Sequence, residues 1–544
     1  TNAASRKTAP KFLDDIARRY ALDGDERARI ERDGFTVLAK VDYDSYGDAF
    51  HDVYRSELPL YIGVDPLLAA LFLENDRALG DIERARLAPL YASTLSAMHA
   101  ALPALAHELP ADVAHDVDLW LAVARSLTAD RLVPAVAGAD NAAIAALVDR
   151  AKRADELATL DVFGRRRTID FTQMAPRGRY TDPSLAPYFR GAMWGARVEW
   201  NLVSRASRSS APGDHADPRE TPREALDAFA LAELMERAHV RDNVDLLDAA
   251  WSAMAGKRED ISLPELCALR ERAGIRALTD ANAFTALKAA IGEGYQRTTR
   301  VHPMPEGSTP LPAIATMLGP RITPDAAAVM QLVHPLVTDR HDVNGADYAY
   351  ALGLDRAQVF TDVARFPSLG NGLHQARAIM AVASAHDDVD ASASADLYGP
   401  WLSMLRALAS EPGAIHPRFM DTLAFQDLRV SSAVVGYAEL RHDNVLVAGQ
   451  PYDEGGCAIP DAFVEPAPAL WSALVADEEH ALAIFARLDR EDASGASAVL
   501  ARQLDVARVL RSIAVHESDG RALSDDERAF LAMVAEMTPG GTGG

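Results

Sequence analysis

Three short strings constrain this chain more than anything else in it: Thr221-Pro222-Arg223-Glu224, Ser262-Leu263-Pro264-Glu265 and Ser524-Asp525-Asp526-Glu527. Each sets a hydroxyl three residues before a glutamate. A backbone entering a helix leaves its first N–H groups without partners. The hydroxyl accepts one of them and the glutamate reaches back to another. In the first two strings a proline also stands in the first turn, where its missing N–H costs nothing. Apolar residues then recur at helical spacing, as in Leu87, Leu90, Leu95, Met98, Leu102 and Leu105, a stripe interrupted by Pro103. The run from the first string to about Met254 and those at 140–158, 279–292, 324–337, 466–488 and 494–515 read as helices too. Extended candidates are few: Phe35 to Val41, Leu58 to Val64 and Thr168 to Phe171. The prediction is a mainly α, large multi-helix protein with few short strands, either closed into an α/α toroid or stacked as an irregular helical array.

At 544 residues the chain exceeds what one hydrophobic core serves well, so two or three sub-cores are expected. The Ser/Pro/Asp/Gly-rich tract from Arg205 to Pro222 and the stretch from Asp388 to Asp396 break the helical pattern. They suggest an N-terminal helical part over 1–205, a central one over 222–388 and a C-terminal one over 397–537, or one continuous domain over 10–537. Net charge is −24, which disfavours nucleic acid and anionic membrane as partners. No run approaches the roughly 18 apolar residues of a spanning helix, so no integral membrane segment is expected. The start, Thr1-Asn2-Ala3-Ala4-Ser5, lacks Met and suits a processed exported protein or the tail of a lipoprotein linker. Cys267 and Cys457, the two cysteines, fit either a reduced or an oxidising compartment.

Two segments concentrate chemistry. Between Asp170 and Trp200, Arg177, Arg179, Arg190 and Arg197 lie among Tyr180, Tyr188, Phe189, Trp194 and Trp200. Guanidinium groups beside aromatic rings can grip carboxylates, sulfates or sugars. The plain alternative pairs these arginines with some of the 79 acids and puts the rings in the core. In a helix over Ser431 to Val447, Glu439, His442 and Asp443 share one face, with Arg441 pointing elsewhere. An imidazole so placed could transfer protons while a carboxylate orients it. Glu236 and His239 repeat the E-x-x-H spacing, and two such pairs resemble a di-metal bundle. His341, Asp342 and Asp347 form a further polar cluster, read equally well as solvated or capping. Nucleophile elbow, P-loop, H-E-x-x-H and C-x-x-C are all absent, which removes most nucleotide, zinc-protease and thiol chemistries.

The chain resembles the domain-of-unknown-function family 3160, large proteins of bacteria and archaea that are often exported. The residues carrying the resemblance are Pro59-Leu-Tyr-Ile-Gly-Val-Asp65, Asp81-Ile-Glu83, Asp170-Phe-Thr-Gln173, Arg177-Gly-Arg-Tyr-Thr181, Tyr188-Phe-Arg190 and Met193-Trp194. Arg321-Ile-Thr-Pro-Asp325, Leu440-Arg-His-Asp443, Gln450 and Val464-Glu-Pro466 complete it. Arg179 departs from a usual His and Gly449 from a usual Lys. The resemblance implies an extracytoplasmic location and names no reaction.

These readings give three expectations for function. The first is a cell-envelope or exported hydrolase or lyase acting on glycan or another polar polymer. The second is a non-catalytic binding or scaffold (lipo)protein with buried Arg–carboxylate networks. The third is a di-metal, oxidase-like helical protein. For an enzyme, His442 is the expected proton-transfer group, oriented by Glu439 or Asp443. Tyr180, its pKa lowered by Arg179, is the reserve acid. Arg177, Arg190, Trp194, Arg321, Arg441 and Gln450 would hold a small-molecule or polymer ligand. No metal ligands and no cofactor are assigned. Asp170 to Arg197 is expected to meet Glu439 to Gln450, since one is rich in guanidinium and the other in carboxylate.

Overall fold

The computed structural model describes residues 11–202, 223–275, 313–383, 396–443, 463–488 and 495–531, except positions 257, 259, 320, 322, 330, 334, 335, 338, 339, 341, 342, 525, 528 and 529. The described residues form eighteen α-helices and three two-stranded sheets, so the protein is mainly α. No described helix is long and apolar enough to cross a membrane.

Two of the three strings act as read. The Glu265 N–H donates to Ser262 Oγ at 3.3 Å and the Ser262 N–H donates to Glu265 Oε2 at 2.7 Å, opening the helix Leu263–Arg272. Ser524 and Glu527 exchange the same bonds at 3.1 and 2.8 Å. Thr221 lies outside the described residues. The run toward Met254 is two helices, Glu224–Arg237 and Arg241–Ala255, because His239 takes a left-handed backbone (φ 54°) between them. The run at 140–158 is helical only over Asn141–Arg153 and then becomes the strand Leu157–Val162, paired antiparallel with Arg165–Asp170. Phe163 and Gly164, both with positive φ, make the two-residue turn. Phe35 to Val41 contains no strand, whereas Leu58 to Val64 contains the strand Tyr61–Ile62. Among the described residues the run at 324–337 is helical over Pro324–Val329, and that at 279–292 lies outside them.

The buried apolar side chains form two large clusters. One gathers residues from Leu87 to Leu318. The other joins Leu60 through Leu71 to residues from Ala328 to Leu531. A small third cluster sets Ala78, Leu79 and Ile82 against Ala481, Phe485, Ala496 and Leu500. One helical rod runs through all three. It begins as Asp65–Ile82, passes through a π-helical turn at Glu83–Leu87 and ends as Ala88–Ala106. The strand ahead of the rod pairs parallel with Phe463–Val464, ahead of the helix Pro468–Leu488. The helix Leu423–Asp443 packs closely on the rod and on the helix Tyr398–Ala407. Gly436 permits that approach: a Cβ there would lie 2.6 Å from Leu405 Cδ2 and 2.9 Å from Leu68 Cδ1.

Candidate functional site

The segments singled out in the sequence converge on the rod and on the Leu423–Asp443 helix, where they build three ionisable groups. The first is a carboxylate group. Asp65 opens the rod, and Glu465 follows the paired strand, so both acids leave the same end of the small parallel sheet. The Tyr61 hydroxyl donates to Glu465 Oε2 at 3.2 Å, and Arg429 Nη2 stands 3.6 Å from Oε1. Arg429 Nη1 is also spent on the carbonyls of Leu408 and Ser410. Glu439 comes in from the Leu423–Asp443 helix. Its Oε2 is buried and has no hydrogen-bond partner among the described residues. Burial, then the nearby Asp65 charge, pushes the Glu439 carboxyl up to about 7. Burial also raises Asp65, against the opposing bond from Ser432. Tyr46, 47% exposed, lies within electrostatic reach of both acids.

The second group locks the π-helical turn. Arg179 Nε donates to Glu83 Oε2 at 2.6 Å, Nη1 to Asp76 Oδ1 at 3.1 Å and Nη2 to the Tyr180 hydroxyl at 2.8 Å. The Tyr180 hydroxyl donates to Glu83 Oε1 at 2.6 Å. All four side chains are buried. The third group centres on buried Asp325, whose Oδ2 accepts from the Tyr437 hydroxyl at 2.7 Å and from Arg441 Nη1 at 3.1 Å. Arg441 Nη1 also donates to the Tyr398 hydroxyl at 3.3 Å, and Tyr348 stacks on Tyr437.

Several expected roles change in this setting. Tyr180 is raised well above the ordinary tyrosine value, not lowered, because burial and the Glu83 carboxylate outweigh Arg179. A phenol held that firmly protonated is no acid for turnover. Trp194 is fully buried, its indole N–H donating to the Trp120 carbonyl at 3.2 Å, so it belongs to the core and not to a ligand surface. Arg321 donates to the Gly319 carbonyl and to Asp248, and its side chain is 5% exposed, so it too is structural. Arg177 is exposed with its guanidinium 5.7 Å from the Phe189 ring centroid, and Arg190 is half-buried. His442 is exposed and meets Phe72 edge-on at 5.4 Å. No hydrogen bond joins it to Glu439 among the described residues, since Glu439 turns toward Asp65 instead. The Asp443 side chain, Gln450, His341 and Asp342 lie outside what is described, while Asp347 is buried against Arg340 and caps the helix Gly345–Leu352. Glu236 is paired with Arg241, and among the described residues no group of three His, Cys, Asp or Glu is arranged to hold a metal ion.

Each signature segment docks on the rod, Arg179 at Asp76 and His442 at Phe72, one helical turn apart. Sequence reasoning missed Asp65 as the acidic neighbour of both Glu439 and Glu465. The signal was present in Val64-Asp65-Pro66 and Val464-Glu465-Pro466, where an acid before proline twice follows a short extended apolar run.

The sequence model of the family described as "Protein of unknown function (DUF3160)" matches residues 23–541. The chain belongs to that family over nearly its whole length. No curated protein and no solved structure matches it.

Proposed function

We propose that this family member is a hydrolase or lyase acting on glycan or another polar polymer outside the cytoplasm, with Glu439 and Asp65 as its acid/base pair. The observation that carries the reading is a carboxyl at Glu439 whose Oε2 has no hydrogen-bond partner among the described residues, held near neutral by burial and by the neighbouring Asp65 carboxylate. Two carboxyls whose surroundings push one toward the protonated form supply an acid and a base at the same pH. Glu439, protonated below about 7, would donate to the leaving group. Asp65 would activate water or withdraw a proton, and half-exposed Tyr46 offers a ring for a sugar face. His442 becomes a peripheral residue in this scheme. The expected extracytoplasmic location rests on the family resemblance.

A second reading has its own support. The arginines of the signature segments are spent internally: Arg179 on Glu83 and Asp76, Arg321 on Asp248, Arg441 on Asp325. That is the pattern of a non-catalytic binding or scaffold protein. A screen of purified protein against neutral and charged polysaccharides, read by new reducing ends and by unsaturated products, separates the two. Turnover that Glu439→Gln and Asp65→Asn abolish at unchanged melting temperature supports the acid/base reading, as does a rate that falls as pH rises past about 7. Turnover surviving in Glu439→Gln, or no turnover on any polymer, rejects it.

A further inference from the structure

The field around Glu439 and Asp65 has one sign. Glu439 Oε2 has no hydrogen-bond partner among the described residues, and the charge that acts on this carboxyl is that of Asp65. Asp65 takes one bond from Ser432 and one from its own backbone N–H, both uncharged donors. Glu465, 3% exposed, is a third acid within electrostatic reach of Asp65. Its cation is Arg429, whose Nη2 stands 3.6 Å from Oε1 and whose Nη1 donates to the Leu408 and Ser410 carbonyls. Arg441, two residues beyond Glu439, is bound to Asp325 instead. The flanking sequence supplies no replacement. Val41 to Tyr54, the stretch that brings Tyr46, holds Asp42, Asp44, Asp48 and Asp52 and no lysine or arginine. Asn444 to Ala462, directly after the Leu423–Asp443 helix, holds Asp453, Glu454 and Asp461 and again neither cation.

Three kinds of sugar meet this field differently. A uronate or sulfated sugar brings like charge to Glu439 and Asp65, which no described lysine or arginine offsets, so its entry is opposed. An ammonium-bearing sugar would settle on the Glu439 carboxylate and favour its ionised form, removing the proton that the acid step needs. An uncharged sugar does neither. Its hydroxyls donate to or accept from the carboxyls, and half-exposed Tyr46 offers a ring. Elimination is disfavoured on the same ground. It withdraws a carbon-bound proton next to a carboxylate, and the negative charge that builds up there needs positive charge aimed at it.

We infer that the pair acts on an uncharged glycan, rejects uronate and sulfated polymers, and cleaves by hydrolysis and not by elimination. The inference rests on the acid/base reading above and narrows it. The bond from C1 to the leaving oxygen breaks as Glu439 gives that oxygen its proton; water forms the new bond to C1 and gives its proton to Asp65. Exchange with solvent then restores both carboxyls.

The test uses the full-length protein with two separate readouts, binding by calorimetry and turnover by new reducing ends. The uncharged probes are xylan, mannan and mixed-linkage β-glucan; polygalacturonate and dextran sulfate are the anionic ones, and chitosan is the cationic one. At least one uncharged glycan should bind and be cleaved without unsaturated products. The anionic polymers should bind at least tenfold more weakly, and added salt should narrow that gap. Tyr46→Arg places a cation beside the pair at an exposed position and should raise affinity for polygalacturonate at least threefold at an unchanged melting temperature. Leu132→Arg, an exposed position outside the group, should not, which separates the local field from the overall charge of −24. Tighter binding of an anionic polymer than of every uncharged glycan overturns the inference; if Glu439→Gln abolishes cleavage of that polymer, the acid/base reading survives it. Binding of an uncharged glycan that Tyr46→Ala weakens, with no cleavage, rejects hydrolysis and the acid/base reading together while the charge preference stands. Unsaturated products, or no binding of any uncharged glycan at millimolar sugar, also overturn the inference.

Discussion

Replacing Asp477 by asparagine should stabilise the protein at pH 8 and not at pH 5. Asp477 and Glu478 sit on the helix Pro468–Leu488, 3% and 2% exposed. Asp477 Oδ1 and Glu478 Oε2 have no hydrogen-bond partner among the described residues. Burial, then the Asp396 charge, pushes Asp477 up to about 7; burial, then Asp477, pushes Glu478 up to about 9. An unfolded aspartate titrates near 3.9, so the folded chain binds the proton more tightly. The stability this represents is fully present below about pH 4 and is lost as pH rises through about 7. A displacement of about three pH units, at about 1.4 kcal/mol each, gives an upper bound of roughly 4 kcal/mol at pH 8. Structural relaxation and water entry reduce this to about 2 kcal/mol, since effective interior dielectrics exceed the dry value. Asparagine removes the charge but brings N–H donors that need partners, which costs about 1 kcal/mol at any pH. Asp477→Asn should therefore gain about 1 kcal/mol at pH 8 and show no gain at pH 5, where only about a third of the penalty acts and the asparagine cost offsets it. Urea unfolding followed by tryptophan fluorescence at both pH values measures the difference. Equal effects at the two pH values, or a greater loss at pH 8, would mean that the carboxylate is stabilised by a cation, and the reasoning would fail.

Arg179→Met should destabilise by about 3–5 kcal/mol, because it leaves Glu83 and Asp76 buried without their cation; thermal melts at pH 7 check this, and a loss under 1 kcal/mol is inconsistent with the buried network. Gly436→Val should cost about 1–3 kcal/mol by wedging the Leu423–Asp443 helix away from Leu405 and Leu68, with Gly436→Ala costing less, and an unchanged denaturation midpoint for both would contradict that close contact. Ser262→Ala should lose about 1 kcal/mol through the opened capping box, while Ser262→Asp keeps most of it, as chemical denaturation can show.

What the sequence made legible divides along a physical line. Local signals were readable wherever the partners lie within one turn. The Ser262–Glu265 and Ser524–Glu527 boxes close as the spacing requires, and the apolar stripe at 87–105 is a buried helix face. The helix at 140–158 was misjudged past Arg153 because a strand packed on one face and a short helix show the same apolar content there. The split at His239 depends on a single backbone angle that no side-chain pattern announces. In the candidate site, the i, i+3 relation between Glu439 and His442 was visible, but their real neighbours were not. Asp65 lies 374 residues before Glu439, and only the parallel pairing of Tyr61–Ile62 with Phe463–Val464 brings Asp65 and Glu465 to one end of a sheet. The inversion at Tyr180 has the same origin: adjacency to Arg179 suggested a lowered pKa, whereas Glu83, 97 residues away, and burial decide it.

The placement of the charged groups along the rod carries a consequence for how the molecule is specified. Arg179 ties Asp76, two turns ahead of the Glu83–Leu87 π-turn, to Glu83 at its first position, and Arg441 holds Asp325 beside the helix that packs on the rod. Burying such pairs yields little net stability, since desolvation cancels most of the attraction. Their effect is on register. A one-residue slip of the rod would leave two buried carboxylates facing apolar side chains, a penalty of several kcal/mol that an all-apolar interface would not impose. The π-turn is the place where such a slip would be absorbed, and Glu83 at its first position is bound by both Arg179 and Tyr180. The arginines that looked like ligand-gripping groups are thus engaged inside the molecule, whereas Glu439 Oε2 is buried with no hydrogen-bond partner among the described residues.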